Sequence, residues 1–439
     1  MSFALRKTNI LIFSFIFCIF LLWLTKTPMQ PDSYSYDTVG FNIFAGHGYS
    51  MENHAPTMAR EPAYPLFLAG IYLIFGYNHL VVQIIQIILF LLTVILVYKI
   101  ADIIFGRRIA EYSMIVTAFF PTLANYPAYI LSETLFTFLL CLSIFICIKL
   151  YNEDKWIYYV LAGFMLGIVA LCKAIMLPFI LIVFLWIVVL KRENLRNVLL
   201  KAICMVLIYI VTVAPWMYRN YAHFGSFSLR EGSEGALCIK VQKLDYNLDD
   251  FKKSFVFTVS ENLGKKIFPD AIEKPEDFLF KEDYLVRDKI LPELKNKGYS
   301  SKEIKGMMIA RIIKRPWKFL FISSLDLFKM TQFTYLPVLI DQKYIMEKFR
   351  VLRHGNNLLS LIRAVFRGLA YLLILFSIIA LFAQRALWKG WMPLFLVITY
   401  ISLSYAIVYG HGRYSVPLIP YYIILLMSFI LKDKKETTQ

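Results

Sequence analysis

"RKTNILIFSFIFCIFLLWLTKTPMQPDSYSYD", residues 6–37, decides the class of this protein. Nothing ionises between Thr8 and Leu24, and as a helix that run is about 25 Å long. A bilayer's hydrocarbon core is about 30 Å thick, so the run reads as a membrane-spanning helix. Arg6 and Lys7 precede it, which puts its start on the cytoplasmic side. A signal peptide begins in the same way, but no A-x-A-like site follows in Trp23-Leu24-Thr25-Lys26-Thr27-Pro28. The run is therefore read as a retained anchor. Just beyond it, on the outer side, stand two carboxylates, Asp32 and Asp37.

The same pattern recurs along all 439 residues, 59% of which are hydrophobic, with a mean hydropathy of +0.61. Soluble chains average about 45–50% apolar, so this is an integral membrane protein. The net charge of +17 would suit nucleic acid, but its placement excludes that reading. Basic residues cluster in short loops: Lys99, Arg107 and Arg108; Lys149 and Lys155; Lys191, Arg192, Arg196 and Lys201; Lys432, Lys434 and Lys435. That bias marks those loops as cytoplasmic. The six cysteines form no paired framework and no zinc spacing, a Cys172–Cys238 bridge being the one conceivable pair. No metal site or other cofactor is indicated.

Apolar length and flanking charge place spans near 8–25, 78–100, 109–124, 130–149, 156–172, 174–190, 198–217, 362–383, 391–409 and 414–431. The expected fold is an all-α polytopic membrane protein of about 10–11 transmembrane helices with a small extracytoplasmic domain. Residues 1–218 form an N-terminal membrane module with a first outer loop at 26–77, residues 219–316 the outer domain, and residues 317–439 a C-terminal membrane module. Tyr64 to Phe75 is too short to span and suits the interface or a re-entrant piece. Trp317 to Leu336 is apolar enough to cross, but the "KDKK" tail favours an arrangement in which that segment lies along the outer surface. The tail is then inside and "GHGRY" outside.

Ser33 to Ala45 reads as an amphipathic helix with Tyr36, Val39, Gly40, Ile43 and Phe44 on one face and Gly46 ending it. Asp32 is then the N-cap, a structural role that does not exclude a basic one at the mouth of a cavity. In "AREPAYP", Arg60 and Glu61 precede two prolines that turn the chain back toward the membrane. Glu133 and Lys173 lie near the outer ends of apolar spans, where an ionisable group must pair or face a cavity. Arg219 and the "GHGRYSVP" residues His411, Arg413 and Tyr414 occupy other outer ends. A lone arginine there is commonly an interfacial anchor, and His411 suits a structural place. Acids and cations meeting at one outer site would suit a lipid-anchored phosphate, held by guanidinium and ammonium groups, and a hydroxyl to be deprotonated.

"PDSYSY…AGHGY", "REPAYPLFLAGIYLIFG", "FGRRIAEYSMIVTAFFPTLANYPAYILSETLFTFLL", "PWMYRNYAHFG" and "GRYSVPLIP", in this order, resemble the GT-C membrane glycosyltransferases. The likeness is to the protein O-mannosyltransferase and aminoarabinose-transferase type, which uses polyprenyl-phosphate sugars. It covers residues 8–225 and then the C-terminal piece. The resemblance implies an inverting transferase of the inner (plasma) membrane acting on its extracytoplasmic side. The catalytic base is then Asp32, supported by Glu133, and Arg60, Lys173, Arg219 and Arg413 hold the donor phosphate. Asp37, Tyr36 and Tyr414 are further candidates. The chain departs from the family in having Ser33 after Asp32 where Asp-Glu is frequent, and Asp37 can be read as the second acid. The implied partners are a polyprenyl-phosphate-linked sugar donor, an acceptor that is a lipid, glycan or protein, and the bilayer, with no nucleic acid. A lipid-linked glycan polymerase or ligase, acting on diphosphate donors, is the nearest competitor. A lipid or polysaccharide transporter would show repeated halves, and none is visible.

Overall fold

The computed structural model describes residues 3–24, 29–231, 233–259, 261–269, 286–331 and 356–431. The described residues are helical apart from loops and one isolated bridge between Ser50 and Pro56. They divide into two compact units, one of residues 1–231, 333–401 and 415–439 and the other of residues 232–332 and 402–414.

The first unit begins with α1 (Phe3–Leu24), α2 (Pro31–Phe44), α3 (Ala63–Phe75), α4 (His79–Phe105) and α5 (Arg107–Ala118). It continues with α6 (Pro121–Asn125), α7 (Glu133–Glu153), α8 (Trp156–Cys172), α9 (Phe179–Leu190) and α10 (Leu195–Phe224). The second unit holds α11 (Ser233–Gln242), α12 (Leu248–Val259), α13 (Glu261–Ile267), α14 (Leu291–Asn296), α15 (Ser301–Lys314) and α16 (Pro316–Met330). The chain then returns to the first unit with α17 (Asn356–Ala383), α18 (Trp388–Val408) and α19 (Ile419–Ile430), the last turn of α18 counting with the second.

Among the described residues, six helices are long and apolar enough to cross a membrane: Lys7–Leu24, His79–Phe105, Glu133–Glu153, Leu195–Phe224, Arg385–Val408 and Gly412–Ile430. Four shorter apolar helices accompany them at Ala63–Phe75, Trp156–Cys172, Ala174–Leu190 and Gly368–Ala383. The chain is therefore a multi-pass membrane protein. The span expected at 109–124 is instead two pieces, α5 and α6, separated at Phe119 and Phe120. Pro121 explains the break, because it pushes the preceding residue out of the helical region, and Phe120 is extended at φ −72, ψ 111. The expected ends of other segments shift in smaller ways. The "KDKK" tail and residues 332–336 lie outside the described residues.

Close helix contact in the first unit comes from glycine. A Cβ on Gly163 of α8 would collide with the Met205 carbonyl of α10, and one on Gly167 would lie 2.7 Å from Thr212 Cβ. Between α7 and α8, Asp154 binds Lys191 at 3.1 Å and Lys201 at 2.9 Å.

The second unit has a core of Cys238, Val241, Leu244, Val286, Ile304, Met308 and Ile322. Beside it, Lys240 is buried with Asp326 at 2.9 Å and donates also to the Ala406 carbonyl, while Lys243 lies 3.8 Å from the same carboxylate. This unit extends through α16 and includes the turn around Gly410, whose Cα lies so close to Asp326 that a Cβ would sit 2.7 Å from Asp326 Cβ. All six cysteines are free, Cys172 and Cys238 among them.

Candidate active site

The segment between α1 and α4 folds as a frame for α2. Pro31 takes the first helical position, where its missing N–H costs nothing, and Gln30 is the N-cap. Asp32 is therefore in the first turn and not at the cap expected from the sequence. Its carboxylate is turned to Arg60 instead, with Oδ1 accepting from Nη2 at 2.6 Å. Gly46, at φ +84, ends the helix as its composition suggested.

Arg60 is gripped from three sides. Its Nε donates to Ser35 Oγ at 2.7 Å, Ser35 Oγ donates to the Asp32 carbonyl at 2.9 Å, and the guanidinium lies 4.7 Å from the centre of the Tyr36 ring. Tyr36 in turn reaches Ser132 with its hydroxyl at 3.3 Å. Ser132 is the residue before Glu133, so α2 is keyed to the start of α7. The approach to α7 is held by α4: Gln86 Nε2 donates to the carbonyls of Pro127 and Tyr129, and Gln83 Nε2 to that of Ala128.

Glu133 is buried, with Lys173 Nζ 3.8 Å from its Oε1, and it lines a small pocket with Thr93, Tyr126 and Thr137. Glu61 completes the group. It is 4% exposed, accepts the Ala174 N–H at 3.2 Å and lies 3.5 Å from Arg230 Nη1. Burial pushes its carboxyl up, but Arg230 and Lys173 outweigh that and hold it below the usual carboxylate range. Three acids and three cations thus lie together in the first unit: Asp32 with Arg60, Glu61 with Arg230, and Glu133 with Lys173.

Other candidates stand elsewhere. Asp37 points to the opposite side of α2, accepting from Tyr72 at 2.5 Å, Tyr77 at 2.7 Å and His79 at 3.0 Å. Burial raises its pKa, and the hydrogen bonds from His79, Tyr72 and Tyr77 bring it below the ordinary value. Arg219 is spent on the loop backbone. Its Nη1 donates to the Thr57 carbonyl at 2.6 Å and its Nη2 to that of Tyr49 at 3.1 Å, with the guanidinium near the Tyr49 and Trp216 rings. Arg413 and Tyr414 belong to the second unit, where Tyr414 stacks on Tyr405 at 4.3 Å and the Arg413 guanidinium lies 5.6 Å from the Tyr414 ring. Among the described residues no group of three or more His, Cys, Asp or Glu could hold a metal ion.

Glu61 and Arg230 are the members that sequence reasoning left out. Glu61 was visible beside Arg60, but its burial was not. Arg230 sits in a polar stretch, "SLREGS", with no local signal.

Residues 54–218 match the family model described as dolichyl-phosphate-mannose-protein mannosyltransferase. No curated protein matches the sequence. Among solved structures, the chain is similar to the archaeal oligosaccharyltransferase AglB from Archaeoglobus fulgidus in complex with an inhibitory peptide and a dolichol-phosphate. The TM-score is 0.53 at 14% identity, covering 98% of this chain and 51% of that one. The apo form of the Archaeoglobus fulgidus oligosaccharyltransferase gives 0.51 at 14% identity, covering 97% and 50%. ArnT from Cupriavidus metallidurans bound to undecaprenyl phosphate gives 0.43 at 14% identity, covering 96% and 78%. The chain spans about half the length of the archaeal structures it matches. The chain shares its fold with the archaeal oligosaccharyltransferase structures, and its residues 54–218 match the dolichyl-phosphate-mannose-protein mannosyltransferase model.

Proposed function

We propose that this protein is a membrane glycosyltransferase that moves a sugar from a polyprenyl-phosphate donor to an acceptor hydroxyl on the extracytoplasmic side of the plasma membrane. The observation that carries the reading is the gathering of Arg60, Glu61, Glu133 and Lys173, all inside the segment that matches the mannosyltransferase family, around the helix bearing Asp32. The acceptor hydroxyl gives its proton to the Asp32 carboxylate as its oxygen attacks the anomeric carbon from the face opposite the phosphate. The bond from that carbon to the phosphate oxygen breaks, the configuration inverts, and polyprenyl phosphate leaves. Arg60 and Lys173 neutralise the charge that builds on the leaving phosphate. Arg60 therefore has two partners in turn, Asp32 before the donor arrives and the donor phosphate afterwards. Glu133 holds Lys173 in position. The acceptor is a lipid, a glycan or a protein.

The test compares cells carrying the wild type with cells carrying Asp32→Asn at matched membrane levels. Envelope glycolipids, polysaccharides and glycoproteins are profiled by mass spectrometry, together with lipid-linked sugars. We expect one sugar to disappear from one acceptor while its monophosphate-linked donor accumulates, general-base removal costing about 10²–10⁴ in rate. Matching profiles would sink the assignment of Asp32. Accumulation of a diphosphate-linked oligosaccharide would replace this reading with that of a glycan ligase.

A further inference from the structure

The second unit leaves one large apolar surface uncovered. On α15, Ile309 is 49% and Ile313 71% exposed, while Ile304 and Met308 on the other side are buried in the core. On α16, Trp317 is 82% exposed, and Leu320, Phe321 and Leu327 are exposed with it, whereas Ile322, Ser323 and Asp326 are buried. The exposed positions follow at intervals of three or four residues, so each helix is apolar on both faces. One face builds the unit, and among the described residues the other is exposed, although the Phe321 ring also meets that of Phe251 at 5.2 Å.

Among the described residues, α16 is short for a crossing. As a helix of 15 residues, α16 is about 22 Å long, against about 30 Å of hydrocarbon. Its inner face also commits the ion-paired Asp326 to the core with Lys240. The flanks of the exposed stripe are basic. Residues 301–330 contain Lys302, Lys305, Arg311, Lys314, Arg315, Lys318 and Lys329, against only Glu303 and Asp326. Arg311 and Arg315 are bound to Asp245, and Lys318 to the Tyr246 carbonyl. Lys314 remains exposed beside the stripe, and Lys302 is exposed at its N-terminal end. An exposed tryptophan amid aliphatic residues, rimmed by lysines, is the composition of a helix lying in the headgroup region.

We propose that α15 and α16 form a lipid-surface platform, with Ile309, Ile313, Trp317, Leu320 and Leu327 inserted below the phosphates of the bilayer that holds the spans and the lysines on the headgroups. The platform is independent of the catalytic reading. It makes the second unit a peripheral membrane module as well as part of a spanning protein.

Site-directed spin labelling of the full-length chain in phospholipid vesicles tests it. Native cysteines are replaced, and single labels are placed at Ile309→Cys, Ile313→Cys, Trp317→Cys and Leu320→Cys, with the exposed polar positions Asp249→Cys and Lys297→Cys, off these two helices, as controls. At 313, 317 and 320, collision with oxygen should exceed collision with a water-soluble nickel chelate, at a depth of about 5–10 Å. The controls should show the reverse. Dominant nickel access at 313 and 317 would overturn the proposal by showing a hydrated face. Low access to both reagents would overturn it by showing a protein cover, from residues 332–355 or a second copy. A second variant guards against a label that disturbs its own site. With Leu320→Cys labelled, adding Ile313→Glu should move position 320 toward the aqueous signature, and an unchanged signal would again count against the platform.

Discussion

Replacing Glu61 by Gln isolates the electrostatics of the acid–cation cluster from its shape. The side chain is 4% exposed and loses only its charge, keeping an oxygen to accept from the Ala174 N–H at 3.2 Å. What disappears is the attraction to Arg230, at 3.5 Å, and to Lys173. Two unit charges about 4 Å apart at an effective dielectric of 20 attract by about 4 kcal/mol, before desolvation is subtracted. Removing one partner of a buried pair costs about 3–5 kcal/mol. Arg230 can rehydrate, since its side chain is 37% exposed, and Lys173 keeps Glu133 at 3.8 Å. These reliefs bring the expected loss to about 2 kcal/mol. Thermal unfolding in detergent should then show a midpoint lower by about 2–5 °C. The pH dependence carries the sign. The folded pKa of Glu61 lies below its unfolded value of about 4.3, so its contribution is complete above that value and fades as the pH falls through the folded pKa. The wild type should lose its advantage over Glu61→Gln on acidification. A mutant melting like the wild type at neutral pH, or a gap that widens in acid, would refute the idea that Glu61 is held ionised by Arg230 and Lys173.

Arg219→Lys should leave the overall melt nearly unchanged but expose the loop at Met51–Thr57 to faster proteolysis, because an ammonium group cannot serve the Thr57 and Tyr49 carbonyls together while lying between two aromatic rings. Equal protection in limited digestion would show that Arg219 does not hold the loop. Gly163→Ala should destabilise by about 1–3 kcal/mol through overpacking against Met205. Gly70→Ala, whose Cβ meets nothing, should stabilise α3 by about 0.5–1 kcal/mol. A Gly163→Ala variant melting at or above the wild type in detergent would show that the α8–α10 contact is wrong.

The helical, membrane-spanning class was legible because it rests on apolar length and on charge in the flanks, both local properties. The 109–124 span failed for a local reason too, since Pro121 outweighs a continuous apolar run. The site was legible in part. Asp32, Arg60, Glu133 and Lys173 could be nominated from position alone, each being an ionisable group close to the end of an apolar segment. Telling Asp32 from Asp37 was beyond it. The two lie five residues apart on one helix, and only the neighbours brought up by α3 and α4 show that Asp37 is enclosed by Tyr72, Tyr77 and His79 while Asp32 meets Arg60.

By itself, then, the sequence determined a polytopic helical membrane protein and a resemblance to lipid-phosphate sugar transferases. Tertiary structure alone decided the pairings. Glu61 with Arg230 joins residues 169 positions apart, and Arg219 with Thr57 joins residues 162 apart. A charge in a membrane protein takes its role from whichever opposite charge or carbonyl the fold brings within about 4 Å, because in a poorly screened interior that neighbour dominates its energy.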